Sequence, residues 1–187
     1  MQKAEVLLAG LGGQGVRLAG DILARSCTLE GKRVSVLPSY GAEARGTLIR
    51  SEVVISEEEI IYPGVLEPDL FVAFSQEAYD HFVPTLHPES RIIYDPAAVT
   101  PRPAQPSETG QYPIPAIETA TGLGNAKAAN MVMLGALAAF SKLISNSALE
   151  EIMATGPKGR RERSIKALKK GFELANQQIE LRGNRPG

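Results

Sequence analysis

Glu5-Val6-Leu7-Leu8-Ala9-Gly10-Leu11-Gly12-Gly13-Gln14-Gly15 decides how this chain begins to fold. Residues 5–9 are a short apolar run that ends at glycines, the pattern of a buried strand entering a turn. A helical pattern follows from about Gln14 to Glu30, with Gly31 placed as a C-terminal stop. Arg33–Leu37 reads as a second strand, closed by Pro38. Strand, tight turn, helix and strand in that order predict a parallel β-pair with a right-handed crossover.

The remaining elements extend that opening into an α/β chain. After a loop rich in glycine and charge, Ser39–Thr47 (SYGAEARGT), the segment Leu48–Ser56 ends in a β-branched run and reads as strand. Ile60–Tyr62 reads as a short partner strand, Asp69–Phe74 as a buried strand, Gln76–Phe82 as a helix and Arg91–Tyr94 as a strand. Pro96–Pro115 holds six prolines, which forbids helix and predicts a long excursion over the surface. Tyr112–Ile117 is expected to re-enter as an edge strand. Asn125–Leu143 is a helix, apolar on nearly every side, that must be buried on several faces, by the sheet and by a second chain. Helices near Ser147–Ala154 and Arg161–Gln178 complete the chain. The expected fold is a single Rossmann-like α/β domain over residues 1–187, with a mostly parallel central sheet flanked by helices.

Composition removes several classes of function. At 187 residues the chain can bury a sizeable core. A net charge of −1 and the absence of Trp argue against nucleic acid or an anionic membrane as a partner. The apolar stretches are far short of a bilayer span and the N-terminus lacks a basic-then-apolar leader, so a cytoplasmic protein is expected. Cys27 is the sole cysteine. It cannot hold an iron–sulfur cluster, which takes about four thiolates, and it shares an apolar helical line with Val16, Ala19 and Leu23, as a buried structural thiol would.

Gly10, Gly12, Gly13, Gln14 and Gly15 satisfy G-x-G-x-x-G between a strand and a helix. Glycines there let the backbone turn tightly, and the first N–H groups of the helix can face a phosphate or carboxylate. The acid that would hold a ribose about 20 residues on is missing. That place reads Leu37-Pro38-Ser39-Tyr40, and Glu30 belongs to the preceding helix end. NAD is therefore disfavoured, and two readings stand: an anion cradle, or a turn that only packs helix on sheet.

Taken together, Gly10-Leu-Gly-Gly-Gln-Gly15, Ser39-Tyr-Gly-Ala-Glu-Ala-Arg-Gly46 and the helix segment Lys127-Ala-Ala-Asn-Met-Val-Met-Leu-Gly-Ala-Leu137 resemble the gamma subunits of 2-oxoacid:ferredoxin oxidoreductases. Thr47 stands where the family usually has a second loop glycine, and Ala42 where a proline is common. The resemblance implies a non-catalytic subunit of an enzyme that oxidatively decarboxylates a 2-oxoacid, passes electrons to ferredoxin and releases an acyl-CoA. Thiamine diphosphate, Mg and iron–sulfur clusters would then sit on other subunits. The implied partners are alpha and beta subunits, a delta subunit where one is present, and ferredoxin through the complex. This chain would support assembly and help receive coenzyme A, with no cofactor held firmly by it. Tyr40, Glu43 and Arg45 join the glycine turn as implied contacts, Arg45 meeting an anion and Glu43 orienting it. The competing account of Glu43 and Arg45 is a solvated ion pair.

The other polar residues point less far. His81 and His87 lack metal-ligand spacing and read as surface histidines. Asn125, Lys127 and Asn130 are assigned to helix capping and subunit contact, and the basic cluster Lys158, Arg160, Arg161 and Arg163 to a solvated face. The apolar helix and the proline-rich excursion lead to one more expectation: the isolated chain forms homodimers. Two rival functions remain, a stand-alone nucleotide-binding oxidoreductase and a purely structural assembly subunit.

Overall fold

The computed structural model describes residues 3–38, 47–103, 110–155 and 158–183. Six strands form one sheet in the order β2-β3-β1-β4-β5-β6. They span Lys3–Leu11 (β1), Arg33–Pro38 (β2), Leu48–Ser56 (β3), Leu70–Ala73 (β4), Arg91–Tyr94 (β5) and Gln111–Pro113 (β6). The helices are Val16–Leu29 (α1), Gln76–Phe82 (α2), Ala116–Gly122 (α3), Ala129–Ser141 (α4), Asn146–Ala154 (α5) and Lys158–Gly183 (α6). Five strands run one way and only β3 opposes them, since β1 and β2 are each antiparallel to β3 while β1, β4, β5 and β6 pair in parallel.

That arrangement corrects the opening reading. β1 and β2 share a direction but are not neighbours, because β3 lies between them and pairs with both. After α1 the chain enters β2 and then doubles back through β3, so the hairpin partner fills the gap left by the crossover. Two boundaries also move. Ile60–Tyr62 forms no strand, and Ile61 is 96% exposed on the connection between β3 and β4. Tyr112–Ile117 divides into the end of β6 and the start of α3.

β1 is apolar along its length because both its faces are covered, as expected of a central strand in a parallel sheet. Val6 and Leu8 face the larger core with α1, α4, α5 and α6, whereas Leu7 and Ala9 face α2. α1 ends as expected at Gly31, whose φ is +81°. There the N–H of Gly31 donates to Thr28 and that of Lys32 to Cys27, the two bonds of a Schellman stop. Cys27 is fully buried, and burial pushes its thiol up to about 12 against the opposing pull of Lys32. The thiolate is disfavoured in the folded chain, so this is a structural thiol. The described part of the proline-rich excursion lies over α2, with Arg102 N–H donating to the Tyr79 hydroxyl and Thr100 N–H to the Gln76 amide.

α4 is buried from Asn130 to Ser141. Its cover comes from within the chain, chiefly α6, with α1, α3, β4 and β5. α4 therefore offers no exposed patch for a second copy. The two helices touch through glycines. A Cβ added at Gly135 would lie 2.0 Å from the carbonyl oxygen of Leu168, and one at Gly171 would lie 1.8 Å from that of Val132. Backbone meets backbone here, with no side chain able to yield. Gly135→Ala is expected to cost about 3 kcal/mol and lower the melting midpoint by about 6–12 °C in calorimetry. Gly122→Ala, whose added carbon meets nothing within 4 Å, is the control and leaves the midpoint nearly unchanged.

Candidate functional site

α1 packs on one face of the sheet and α2 on the other, so the chain leaves β1 and β4 in opposite directions. In open α/β sheets the crevice beyond two such strands is where ligands bind. The glycine turn occupies that position. Its five predicted residues come together: β1 ends at Leu11, and Gly12 to Gly15 carry the chain into α1. Tyr40, Glu43 and Arg45 lie outside the described residues.

Gln14 fastens the turn. Its side-chain oxygen accepts the N–H of Leu11 at 2.6 Å, and its side-chain nitrogen donates to the carbonyl of Phe74 at 2.8 Å. The Gln14 amide thus ties the end of β1 to the residue just after β4. Gly12 N–H donates to Thr47 at 2.9 Å, continuing the β1–β3 ladder by one bond. From α4, Asn130 donates to the Gly15 carbonyl at 3.3 Å.

The glycines divide by what surrounds them. At Gly10 a Cβ would lie 2.5 Å from the Gln14 oxygen and 2.6 Å from Phe74, and at Gly15 it would lie 2.2 Å from the Asn130 amide. Those two are packing positions. Gly13 differs: its φ is +98°, yet a Cβ there meets nothing within 4 Å. Gly15, the residue before α1, has φ +78°, and no side chain caps the helix. The first turn of α1 thus has its N–H groups at the crevice without a capping side chain, and that end of a helix favours an anion.

Gly13 borders two hollows. One, of about 210 Å³, lies beyond β1, β4 and β5 and is lined by Phe74, Asp95, Ile117, Lys127, Asn130 and Met133 among others. The other, of about 550 Å³, is a groove running from the turn along α1 against Val36 and Ile49. Asp95 is buried and organises the first hollow, accepting the N–H groups of Ala97 at 2.8 Å and Ile117 at 2.6 Å. Lys127 is exposed on its rim. The signal that reveals Phe74 and Asp95 in the sequence is their place just after a parallel strand. Lys127 and Asn130 are drawn in only by the packing of α4. Asn125 precedes the short 3₁₀ turn Ala126–Ala128 without a capping side-chain bond, so the expected cap is not made.

Other candidates lie elsewhere. Glu30 pairs with Lys32 at 3.0 Å and accepts Ser145 N–H at 3.0 Å, at the start of α5. Burial alone would raise its carboxyl, but the hydrogen bonds from Ser145 and Lys32 outweigh it and hold the group below the usual value. The end of β2 is separated from β1 by β3, so an acid there would stand one strand away from a dinucleotide on this turn. His81 is exposed and His87 accepts Glu89 N–H at 3.2 Å. Among the described residues no group of three His, Cys, Asp or Glu is placed to hold a metal, and no helix is long and apolar enough to cross a membrane.

Residues 5–174 match the family described as pyruvate ferredoxin/flavodoxin oxidoreductase, and the chain belongs to it. It is 37% identical to 2-oxoglutarate synthase subunit KorC of Methanocaldococcus jannaschii over 94% of this chain and 95% of the relative. The gamma subunit of a keto/oxoacid ferredoxin oxidoreductase from Geobacter sulfurreducens superposes with a TM-score of 0.84 at 32% identity, over 95% of this chain and 98% of that one. A 2-oxoglutarate:ferredoxin oxidoreductase from Magnetococcus marinus, solved with 2-oxoglutarate, coenzyme A and succinyl-CoA bound, gives a TM-score of 0.84 at 29% identity. This chain is covered to 95% there and matches 32% of that longer chain. Within the family the chain is of the gamma-subunit type.

The Gln14 bridge makes a specific demand on stability. Gln14→Leu strands the Leu11 N–H and the Phe74 carbonyl and is expected to cost about 2–4 kcal/mol in denaturant unfolding. Gln14→Glu keeps the acceptor for Leu11 but sets an anion against the Phe74 carbonyl. That variant should fall between the unsubstituted chain and Gln14→Leu in stability, because one of the two bonds survives.

Proposed function

We propose that the chain is a non-catalytic gamma subunit of a thiamine diphosphate-dependent 2-oxoacid:ferredoxin oxidoreductase, supporting assembly and receiving the phosphate-bearing part of coenzyme A at the glycine turn. The observation that carries the second half is Gly13. Its backbone is held at positive φ by a turn fastened on both sides, and the space its side chain would fill is open. Gly31 has the same positive φ and open surroundings as a helix stop, and what sets Gly13 apart is its place at the uncapped start of α1, bordering both hollows. Gly10 and Gly15 fulfil the packing need.

On this reading the backbone from Gly13 into α1 faces the phosphate, Lys127 adds a cation at the rim, and Asp95 and Asn130 keep the walls in place. Arg45 is two residues before Thr47 in sequence, and Thr47 is bonded to Gly12. Arg45 would add a charge-assisted contact and Glu43 would orient it, with Tyr40 alongside. The Magnetococcus marinus enzyme, with coenzyme A and succinyl-CoA bound, supports this choice of ligand. The chain's own residues do not fit the redox cofactors, since Cys27 is its sole thiol and is buried. Thiamine diphosphate, Mg and iron–sulfur clusters belong on this proposal to other subunits.

Two outcomes test it. The purified chain should show no iron–sulfur absorbance after anaerobic reconstitution and no turnover with any 2-oxoacid; activity without other subunits would overturn the subunit reading. In the assembled enzyme, Gly13→Val and Arg45→Ala should each raise the Michaelis constant for coenzyme A. A charge-assisted bond shielded from water is worth roughly 1.5–3 kcal/mol, which corresponds to about a 10–150-fold rise for Arg45→Ala. Both variants must still join their partners. An unchanged constant in complexes that assemble normally would leave the turn as a structural element.

A further inference from the structure

The exposed side of α1 carries a leucine toward each end, with Arg17 exposed beside Leu18 and Thr28 beside Leu29. Leu18 is 54% exposed and Leu29 is 47% exposed, while Asp21 and Arg25 lie between them as an i,i+4 ion pair at 3.7 Å. Intervening residues Ile22, Leu23, Ala24, Ser26 and Cys27 are buried against the core. Beside this face runs β2, which among the described residues is an edge strand paired with β3 alone, with half-buried Val34 and Val36 and Leu37 at 39% exposure. Two grooves follow this border. The one of about 550 Å³ contains Leu18, Val36 and Ile49, and the other, of about 500 Å³, contains Leu29, Val34 and Ile152. Asp21 and Val36 line both, so the grooves form one apolar strip along α1 and β2.

We infer that a second copy of this chain docks on this strip, α1 against α1 in antiparallel orientation about a two-fold axis. The pattern along the helix selects the occupant. Leu18 and Leu29 lie symmetrically about a point between Leu23 and Ala24, and Asp21 and Arg25 lie symmetrically about Leu23. The two centres lie half a residue apart, so one two-fold axis near Leu23 brings Leu18 close to the partner's Leu29 and Asp21 close to the partner's Arg25. Leu18 and Leu29 then meet at both ends of the contact, and Asp21 and Arg25 meet across its middle. An isologous interface needs that self-complementarity, whereas an unrelated partner would have no reason to match it. The two ion pairs become a four-charge cluster flanked by leucines, an apolar contact with charges that fix its register. This surface differs from the crevice beyond β4 and β5, and it replaces α4 as the basis for self-association.

The test uses the full chain alone. Light scattering at about 50 μM should give a dimer, a concentration suited to the micromolar affinities of small interfaces. Leu18→Glu and Leu29→Glu should each raise the dimer dissociation constant by roughly tenfold or more. Asp21→Arg alone or Arg25→Asp alone should also weaken the dimer, and the double exchange D21R/R25D should restore it, because the cluster re-forms with its signs reversed. Cross-linking fixes the geometry: L18C/L29C should oxidise to a covalent dimer, while L18C alone and L29C alone should not, and buried Cys27 stays out of the reaction. Ile61→Asp, on the exposed connection far from α1 in sequence, should leave the dimer intact. A monomer at that concentration overturns the inference. So does a dimer indifferent to Leu18→Glu and Leu29→Glu, or one in which the double exchange fails to rescue. If the chain is monomeric but the Leu18 and Leu29 variants cannot join other subunits, the strip belongs to a different chain and the inference is likewise lost.

Discussion

The Gln14 side-chain amide is the constraint on which the rest of the site depends. It accepts from Leu11 and donates to Phe74, so one planar group ties the turn to the paired ends of β1 and β4, where Phe74 N–H also donates to the Ala9 carbonyl at 2.8 Å. Gly10 has no room for a side chain because that amide fills the space. Gly15 has none because Asn130 reaches in from α4. With both ends of the turn held, Gly12 paired to Thr47 and α1 begun at Gly15, little freedom is left to the backbone between them. A ligand meeting such a turn does not have to order it, which is the cost that otherwise erodes affinity. On the proposed reading the glycine pattern works through rigidity, with Gly13 retaining an open side.

α4 transmits that rigidity across the molecule. Asn130, near its start, holds the glycine turn, and Gly135, five residues on, admits the backbone of α6. The segment Asn130–Ala136 therefore makes both contacts from one helix. Enlarging Gly135 would push α4 away from α6, and Asn130 rides on the same rigid body. Packing at the helix crossing and geometry at the turn are in this sense a single property.

Much of the fold was legible because its signals are local. An apolar run ending at glycines, a helical stripe and a Gly31 stop each depend on a few adjacent residues, and the structure bears them out. The neighbour of β1 was not legible. Arg33–Leu37 and Leu48–Ser56 are both plausible partners in sequence, and only the long-range pairing of Leu11 with Leu48 through Lys3 with Ser56 decides between them. The cover of α4 escaped for a different reason. Arg161–Gln178 reads as a basic amphipathic helix, but nothing in the sequence assigns its inner face, built from Ala167, Leu168, Gly171 and Ala175, to α4. Small residues bury a neighbour by close approach, a property that hydrophobicity patterns register weakly. Of the site, the five turn residues share one short stretch and could be read together. Phe74, Asp95, Lys127 and Asn130 arrive from four separate segments, and the loop bearing Tyr40, Glu43 and Arg45, outside the described residues, enters as a candidate only through family likeness.

On the proposed reading, the chain's contribution to the reaction is made at a distance from it. The phosphates of coenzyme A lie far from its thiol, and a rigid anion site that holds them provides binding energy remote from the reacting atoms. Such energy accelerates a reaction only if it restricts the reacting end or offsets an unfavourable arrangement there. The holder must therefore be stiff and fixed relative to the subunit that carries the chemistry. A turn locked by Gln14 and Asn130 meets the first condition. The second falls to the interfaces of the complex, and two-fold pairing through α1 would make each turn's position depend on that of its mate. Catalysis by other chains is then compatible with a subunit whose mechanical precision still matters to turnover.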